Sequence, residues 1–485
     1  MYVMGIDVGT GGVRVVVSSS NGEVPAQAAQ PFQAAGVAGL PPDWHEQYVE
    51  PWWPAVAACI REVIAHLGKN DIPAAAITAA AVTSTSGTVL PLDGEFRPLH
   101  PAIMYNDGRG AQEARDLNTM APEFVSKMGR GFPPAFALPK ILWVKRHLPE
   151  VFARTRRWVH AADFIVGKMT GEYGASDTST ALKTGYDVID LCWPEFIESQ
   201  AGIPLRMLPR VIQPGEEIAR VTPACSTETG LAPGTRVCGG MTDANTALLA
   251  TGATGTGDWN TTLGTTITIK GITEAMLRDA RSGVYCHRHP MGWWLPGSAG
   301  NVGGECLQVR FRGGDLAALD AAAAAHGPAS VVVYPLVRRG ERFPFVHSTA
   351  EGFILGEPQD EVDLYRGYLE GVGLTERLAY AVLEGLGATT GSQIYVAGGG
   401  TRSRTWLQIR ADILGKTLLK PELPESALGA AILAASQTLF SDVVQAGRHM
   451  VRLNTALEPD LQWAAHYAEK YFRFTEALRS RGYLS

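Results

Sequence analysis

Two short glycine–threonine segments, one in each half of the chain, combine residue types that bind phosphate. They consist of Gly9, Thr10 and Gly11 near the start, and of Gly264, Thr265 and Thr266 near the middle. Backbone amides in such a turn form a concave anion site, and a threonine hydroxyl adds a donor. Gly9 and Gly264 stand just over half the chain length apart. This repetition predicts two related domains that hold one nucleotide from opposite sides.

Two aspartates stand where carboxylate chemistry could assist phosphate transfer. Asp7 ends the strand-like run before the first segment, where it could hold a magnesium-bound water. Asp243 comes at a predicted strand-to-helix junction shortly before Gly264. Phosphoryl transfer to an alcohol needs a carboxylate that accepts the hydroxyl proton, which makes Asp243 the candidate catalytic base. Taken alone, an aspartate at such a junction is more often a helix N-cap.

Three consecutive glycines, Gly398, Gly399 and Gly400, precede a helix predicted for residues 403–414. Ser403 is the predicted N-cap of this helix. Glycines without side chains would let a flat ligand such as adenine approach the backbone closely. A packed turn is the alternative interpretation, and the pattern alone does not distinguish the two.

The elements around these segments are predicted mainly from hydrophobic periodicity. Residues 1–20 alternate in the manner of a β-hairpin, and the glycines at 9–12 could take positive φ. A dinucleotide-binding unit would begin a helix there, so the pattern argues against a dehydrogenase. A second hairpin is predicted near residues 260–268. A buried strand at 75–82 leads into short polar residues, including Thr85, Ser86 and Gly87, which suit a hydroxyl-rich substrate.

Composition excludes several classes of protein. With 485 residues, 46% of them hydrophobic, the chain can form two or more domains with large cores. A net charge of −6 argues against a nucleic-acid surface. No run of about 18 uncharged apolar residues occurs, so no membrane span is predicted. The six cysteines are scattered without a C-x-x-C pair, which indicates a reduced cytoplasmic protein rather than a disulfide or zinc framework.

Other catalytic motifs are missing from the sequence. It has no G-x-x-x-x-G-K-[ST], H-E-x-x-H or G-x-S-x-G pattern, which argues against P-loop enzymes, zinc proteases and serine hydrolases. His287 and His289 could form a metal pair, but a solvated strand face is the preferred interpretation. Trp463, Tyr467 and Tyr471, spaced by four, predict a helix packed on the core, with a homodimer face as the alternative.

In this order, the segments of the chain resemble the FGGY family of carbohydrate kinases over nearly the whole length. The segments are 7–10, 44–47 with Trp52-Trp53, 105–109, 176–179, the Asp243 region, 263–266, 397–400 through 411–412, and 425–431. The resemblance implies an α/β fold of two ribonuclease-H-like domains, as in actin, hexokinase and the 70-kDa chaperones, with a cleft between them. It implies a sugar-binding domain at residues 1–243 and an ATP-binding domain at 244–485.

The same resemblance implies roles for individual residues. Asp243 matches the catalytic base, and Asp7 matches the carboxylate near Mg²⁺. The phosphate loops match Gly9, Thr10, Gly264, Thr265 and Thr266; the adenosine site matches Gly398, Gly399, Gly400 and Ser403; the sugar-facing segment matches Tyr105 and Asp107. ATP and Mg²⁺ are the implied cofactors, and a small sugar is the implied partner.

Residues 83–88 bear on the choice of sugar. They read Thr-Ser-Thr-Ser-Gly-Thr, without the Arg-Glu pair of glycerol kinases or the histidine of xylulokinases. This run, together with segments 181–186, 283–287 and 334–344, looks like the ribulokinase-like branch of pentulose kinases. D-Ribulose is therefore the predicted substrate, with D-xylulose second. Another ketose or polyol such as sedoheptulose, or a non-catalytic ATP-binding sensor or chaperone, is the alternative.

Overall fold

The computed structural model describes residues 1–33, 35–279 and 281–484. Its strands are β1 Tyr2–Val8, β2 Gly12–Ser19, β3 Ala26–Pro31, β4 Glu46–Gln47, β5 Ile77–Ser84, β6 Leu90–Leu92, β7 Ala102–Ile103, β8 Arg157–Val159, β9 Ala175–Asp177, β10 Arg210–Ile212, β11 Glu217–Arg220, β12 Arg236–Cys238, β13 Trp259–Leu263, β14 Ile267–Gly271, β15 Tyr285–Arg288, β16 Trp294–Ala299, β17 Val332–Tyr334, β18 Phe353–Leu355, β19 Gln393–Ala397, β20 Thr417–Pro421 and β21 Leu453–Leu457.

The α-helices lie between these strands along the chain. They are α1 Trp52–Lys69, α2 Ala111–Met120, α3 Pro122–Met128, α4 Ala137–His147, α5 Pro149–Arg154, α6 Ala161–Thr170, α7 Thr178–Ala181, α8 Phe196–Ser199, α9 Pro223–Thr229, α10 Asp243–Leu249, α11 Glu305–Arg310, α12 Leu316–Ala325, α13 Glu361–Gly385, α14 Arg404–Leu414, α15 Ser426–Ala435, α16 Val443–Met450 and α17 Ala464–Ser480. Within the described ranges, none of them is long and apolar enough to cross a membrane.

The chain forms two compact units. Unit 1 comprises Met1–Ala250, Pro290–Gly292 and Leu423–Val451, and unit 2 comprises Thr251–His289, Trp293–Glu422 and Arg452–Ser485. The predicted division after residue 243 follows chain order alone. The structure differs because the chain re-enters unit 1 at Leu423 and leaves it after Val451.

The sheet of unit 1 has the order β11-β12-β5-β1-β2-β3. Strand β1 pairs antiparallel with β2, so that Asp7 lies opposite Arg14, and parallel with β5, so that Asp7 lies beside Thr83. Residues on both faces of β1 are buried, as expected for a central strand covered by helices. The carboxyl ends of β1 and β5 therefore meet at one edge of the sheet.

Helix α15 covers β1 through very close backbone contacts. A Cβ added at Gly5 would lie 1.7 Å from the Ala427 carbonyl oxygen, and one added at Gly429 would lie 1.8 Å from the Thr246 carbonyl oxygen. Only glycine permits this separation, which lets α15 pack against both β1 and α10. The small residues of α15 therefore fix the start of α10, where Asp243 lies.

The sheet of unit 2 repeats the arrangement around its central strand. Its order is β15-β16-β14-β13-β19-β20-β21. Strand β13 pairs antiparallel with β14, and parallel with β19 so that Thr262 lies beside Ala397. Both predicted hairpins are present.

Two sequence expectations in unit 2 differ from the structure. His287 and His289 are buried, so the expected solvated strand face is wrong. Among residues 1–33, 35–279 and 281–484, no group of three His, Cys, Asp or Glu side chains could hold a metal ion. In the C-terminal region Tyr467 is buried, whereas Trp463 and Tyr471 are only partly buried. The spacing of four predicted three core residues, and the structure fully buries one of them, Tyr467.

Candidate active site

The first phosphate loop connects β1 to β2 in unit 1. The Gly9 amide donates to the Gly12 carbonyl oxygen at 2.9 Å, while Thr10 and Gly11 are exposed. None of these glycines has positive φ, contrary to the expectation for this turn. Glycine is needed at position 12 for another reason, because a Cβ there would lie 2.4 Å from the Gln30 carbonyl oxygen. The exposed backbone leaves space for an anionic ligand.

Asp7 occupies an electrostatically costly position at the end of β1. Burial raises the pKa of its carboxyl to about 7; the negative charges of Asp243 and Glu425 act in the same direction and Arg14 opposes them. Asp7 Oδ1 is buried and has no hydrogen-bond partner among the described residues. An uncompensated carboxylate oxygen of this kind fits a site that receives a cation or an ordered water.

Asp243 lies beside this position because of strand pairing. Ser84, at the end of β5, forms a parallel bridge with Thr242, which is the N-cap of α10. Asp243 is the first helical residue rather than the N-cap, and its Oδ1 accepts from the Ala244 amide at 2.7 Å. Its side chain is partly exposed. The structure thus brings together the two aspartates that the sequence singled out.

Sequence reasoning did not assign Arg14 and Glu425 to this site. The Arg14 guanidinium lies 3.4 Å from the Glu425 carboxylate. Ser426, next to Glu425, donates its hydroxyl to the Asp243 carbonyl oxygen at 3.1 Å. Pairing of β1 with β2 could have predicted that Arg14 lies opposite Asp7. The return of residues 423–451 to unit 1, by contrast, has no local signal in the sequence.

The polar run at 83–88 begins in the last two residues of β5 and continues into a tight turn in unit 1. The hydroxyls of Thr85 and Thr88 lie 3.0 Å apart, and Thr83 donates to the Met241 carbonyl oxygen at 2.7 Å. Ser86 Oγ is buried without a hydrogen-bond partner in the described chain. Gly87 has φ of +99°, which favours glycine. The loop therefore combines internally bonded hydroxyls with one hydroxyl left for a ligand.

Two buried side chains, Lys140 and His160, hold this loop through hydrogen bonds to its backbone carbonyl oxygens. The fully buried Lys140 donates to the carbonyl oxygens of Gly87 at 3.1 Å, Met104 at 2.6 Å and Ala135 at 2.9 Å. Burial lowers its pKa to about 7.

The tautomer of His160 follows from its partners. Its Nδ1 lies 2.7 Å from the Thr88 carbonyl oxygen, which can only accept, so Nδ1 donates. Nε2 then accepts from the Thr184 hydroxyl at 2.9 Å. Burial lowers the His160 pKa to about 4, consistent with a neutral ring. This ring ties the loop at 83–88 to the segment that carries Thr184.

The structure separates the two residues predicted to face the sugar. Tyr105 is exposed, whereas Asp107 is fully buried. The Asp107 carboxylate accepts from the Arg109 guanidinium at 2.8 Å through each oxygen, and from the His45 amide at 2.6 Å. Arg109 also pairs with Glu46 at 2.7 Å. Asp107 therefore anchors a buried ion-pair network, which differs from the sugar-facing position that was predicted.

The second phosphate loop connects β13 to β14 in unit 2. The Gly264 amide donates to the Thr266 carbonyl oxygen at 3.0 Å, and the Gly304 amide donates to the Gly264 carbonyl oxygen at 2.8 Å. A Cβ at Gly303 would lie 2.4 Å from the Thr266 Cα. The pair Gly303-Gly304 therefore supports the loop closely from behind, a role that sequence reasoning missed. Thr265 remains exposed at the loop tip.

The glycine triplet lies next to this second loop because β19 pairs with β13. Gly398 has φ of +85°, and a Cβ there would lie 2.5 Å from the Leu263 carbonyl oxygen. Gly400 packs against the Leu263 side chain, whereas a Cβ at Gly399 would meet nothing within 4 Å. Gly398 and Gly400 are thus constrained by packing, and the exposed Gly399 leaves open space for a ligand.

Ser403 is the N-cap of α14, as predicted. Its hydroxyl accepts from the Trp406 amide at 2.8 Å and donates to the Asp320 carboxylate at 2.6 Å. These two bonds occupy the hydroxyl proton and one lone pair. The side chain therefore fixes the start of α14 against Asp320, and its assignment to the adenosine site stays a prediction.

Both halves of the chain match one known protein family. The model of the FGGY family of carbohydrate kinases, N-terminal domain, matches residues 2–250, and that of its C-terminal domain matches residues 254–438. The chain belongs to this family. It is therefore a carbohydrate kinase, a phosphotransferase with the two-domain α/β fold of such enzymes, and the predicted family and fold class are confirmed.

Individual relatives cover most of the chain. A xylulose kinase from Escherichia coli (strain K12) is 31% identical in an alignment of length 438 that covers 86% of each chain. An autoinducer-2 kinase from Yersinia enterocolitica is 26% identical in a gapped alignment of length 496 that covers 96% of this chain and 92% of that one. The crystal structure of a xylulose kinase from Rhodospirillum rubrum has a TM-score of 0.86 at 28% identity, with 99% of each chain covered.

Proposed function

We propose that this carbohydrate kinase transfers the γ-phosphoryl group of ATP to the terminal hydroxyl of a ketopentose. The observation that carries the proposal is that Asp7 and Asp243 come together beside the first phosphate loop, since Asp7 pairs with Thr83 of β5 and the next residue of β5, Ser84, bridges to Thr242. The xylulose kinase relatives support the ketopentose class. D-Ribulose stays the first candidate because of residues 83–88, and D-xylulose is the second.

Asp243 is the proposed general base. Its partly exposed carboxylate would accept the proton of the terminal hydroxyl while that oxygen forms its bond to the γ-phosphorus, and ADP would leave with the electrons of the broken bond. The Ala244 amide and the Ser426 hydroxyl hold the residue at the start of α10, which would keep the carboxylate oriented towards the acceptor.

Asp7 is the proposed carboxylate for Mg²⁺, acting through a bound water. Its buried, unpartnered Oδ1 and its raised pKa fit a nearby cation, which would relieve the repulsion from Asp243 and Glu425. Magnesium commonly keeps several waters and needs one or two carboxylates plus substrate phosphates, so a larger protein cage is not required. When bound, the ion would supply positive charge that stabilises the transferred phosphoryl group.

ATP is proposed to bind to the glycine-containing loops. The amides of Gly9, Thr10 and Gly11 in unit 1 would contact phosphate. In unit 2, Gly264, Thr265 and Thr266 would do the same, and Gly398, Gly399 and Gly400 would pass beneath the adenosine. Of that triplet, Gly399 has the most space for direct contact, while Gly398 and Gly400 would shape the backbone. Ser403 would contribute indirectly as the N-cap of α14.

The sugar is proposed to bind near the loop at 83–88. Ser86, with its buried and unpartnered hydroxyl, and the exposed Tyr105 are the first candidates for direct contact. Thr85 and Gly87 would shape the same loop, and Asp107 would act by holding the 105–109 segment in place. A pocket of paired hydroxyl groups discriminates strongly against analogues that lack a hydroxyl. A cytoplasmic location and a homodimer remain predictions.

The test is ADP release with ATP and Mg²⁺ against D-ribulose, D-xylulose, L-ribulose, sedoheptulose, glycerol and D-gluconate. The proposal expects the highest kcat/KM for a ketopentose, with D-ribulose first. A preference for D-xylulose would support the ketopentose class and contradict the choice of D-ribulose as the preferred epimer. Turnover only with glycerol or gluconate, or no acceptor-dependent ADP at all, would contradict the ketopentose assignment.

A further inference from the structure

Lys183 lies across the loop proposed to bind the sugar. It belongs to a short 3₁₀ turn, Leu182–Thr184, and its Nζ donates to the Ser86 carbonyl oxygen at 2.9 Å. A Cβ placed on Gly87 would lie 3.2 Å from Lys183 Cδ, so the aliphatic stem passes directly over that glycine. Its Nζ also lies 5.8 Å from the centre of the Phe136 ring.

The charge of Lys183 also reaches the other end of the proposed sugar site. Asp243, the proposed base, is the largest source of stabilisation for the protonated Lys183, opposing the burial that lowers its pKa. One cation thus contacts the Ser86–Gly87 loop and interacts with the carboxylate that would receive the acceptor proton.

Lys140 and Lys183 differ in how many of their donor protons are already bonded within the protein. Lys140 is fully buried and its three donor protons meet three backbone carbonyl oxygens. Lys183 is only partly buried, and within the described residues the Ser86 carbonyl oxygen is its hydrogen-bond partner. An ammonium group has three donor protons, so two remain for a ligand or water.

We propose that Lys183 recognises the carbonyl oxygen of an open-chain ketose and so determines the preference for ketoses over the corresponding alcohols. The inference rests on the proposed function. A lysine can only donate, and a carbonyl oxygen can only accept, so the two match without an unsatisfied proton. The Ser86 hydroxyl, which has no partner within the described residues, can do both, and therefore suits a sugar hydroxyl instead.

The test compares each ketopentose with D-arabitol, the one alcohol that reduction of the C2 carbonyl group can give from both D-ribulose and D-xylulose. Wild type, Lys183→Met, Lys183→Arg and the control Lys145→Met are assayed for ketopentose kcat and KM and for ATP KM. Lys145 also donates to one backbone carbonyl oxygen, that of Ala201, at 2.7 Å. Competition by D-arabitol gives its inhibition constant whether or not it is phosphorylated, and thermal unfolding monitors folding.

We expect the Lys183→Met variant to lose affinity for the ketopentose but not for D-arabitol. Lys183→Met should raise the ketopentose KM by roughly tenfold or more, as loss of a charge-assisted hydrogen bond does, while the D-arabitol constant and the ATP KM change by less than about threefold. Lys183→Arg should recover part of the ketose affinity, and Lys145→Met should resemble wild type. An unchanged melting temperature for Lys183→Met would show that its ketose loss is not unfolding.

Other outcomes would overturn the inference. If Lys183→Met weakens the binding of ketose and alcohol equally, Lys183 only supports the Ser86 loop. If it weakens neither, Lys183 does not contact the substrate. If wild type prefers D-gluconate and Lys183→Met abolishes that activity, the ammonium binds a carboxylate rather than a ketone. If the wild type itself does not phosphorylate a ketopentose, the proposed function is overturned as well. That result needs no variant, so it can be told apart from a failure of the Lys183 inference alone.

Discussion

Asp243 combines partial exposure with a fixed backbone, which is what a proton acceptor in a kinase requires. We expect Asp243→Asn to lower kcat by roughly 10²-fold or more, because the amide cannot take the hydroxyl proton. The ATP KM should stay within about threefold of wild type. The matched control is Asp190→Asn, an exposed aspartate of unit 1 whose side chain pairs with Lys127. Near-normal turnover in Asp243→Asn would exclude the residue as the base.

The ionisation of Lys183 gives a distinct pH dependence. Burial lowers its pKa to about 8, while Asp243 opposes this shift and Arg130 adds to it. Lys140 and His160 are the other titratable groups that interact with its charge. We expect kcat/KM for the ketopentose to fall as pH rises through about 8, because the ammonium loses its proton.

Lys183→Arg is the control for this profile, because a guanidinium stays protonated throughout the range. Its kcat/KM should show no fall near pH 8, even if its value is lower overall. Superimposable profiles for the wild type and Lys183→Arg would assign the fall to another group.

Close packing of helices and strands limits which glycines can be changed. In α15, Gly429→Ala should destabilise the protein by about 1–3 kcal/mol, as overpacking commonly does, because its Cβ would lie 1.8 Å from the Thr246 carbonyl oxygen. Gly68→Ala in α1 is the control, since a Cβ there meets nothing within 4 Å and alanine favours a helix. Denaturant unfolding measures both, and an equal response would contradict the packing argument.

Substitutions at Gly398 and Gly399 should have different effects, because Gly398 is packed against the protein and Gly399 faces open space. Gly398→Ala should lower the melting temperature, because φ of +85° and the Leu263 carbonyl oxygen at 2.5 Å both exclude a side chain. Gly399→Ala should leave the melting temperature unchanged and raise the ATP KM by roughly threefold or more, since its methyl group would occupy the space proposed for the nucleotide. An unchanged ATP KM in Gly399→Ala would contradict that contact.

Local patterns predicted the elements that carry the phosphate loops. The period-two alternation predicted the β1–β2 hairpin, and Ser403 was recognised as an N-cap from its place before an amphipathic helix. Asp107 was harder to interpret, because its burial depends on Arg109 and on the distant His45 amide. His287 and His289 are buried within unit 2 for a similar reason, since tertiary packing rather than strand alternation decides their exposure.

The architecture of unit 1 depends on two distant parts of the chain. Met1–Ala250 provides the sheet, whereas Leu423–Val451 provides α15, which covers β1 at Gly5. Chain order alone could not predict this, because the sequence between them belongs mostly to unit 2. We therefore expect a fragment of residues 1–250 to lack cooperative unfolding, and a version that carries residues 423–451 on a flexible linker to regain it.

Thermal unfolding followed by circular dichroism distinguishes these two fragments. A version carrying residues 423–451 with Gly429→Ala is the control, since its α15 should dock poorly for the reason given above. Cooperative unfolding of residues 1–250 alone would show that α15 is dispensable for the sheet.

The late return of the chain to unit 1 also bears on its synthesis. A ribosome that has completed Ala250 must still translate residues 251–422 before α15 begins to emerge. At five to twenty residues per second this takes roughly ten to thirty seconds, during which the face of β1 around Gly5 stays uncovered. We expect this uncovered nascent sheet to be a surface that chaperones can bind, and slow codons within residues 251–422 to prolong the exposure.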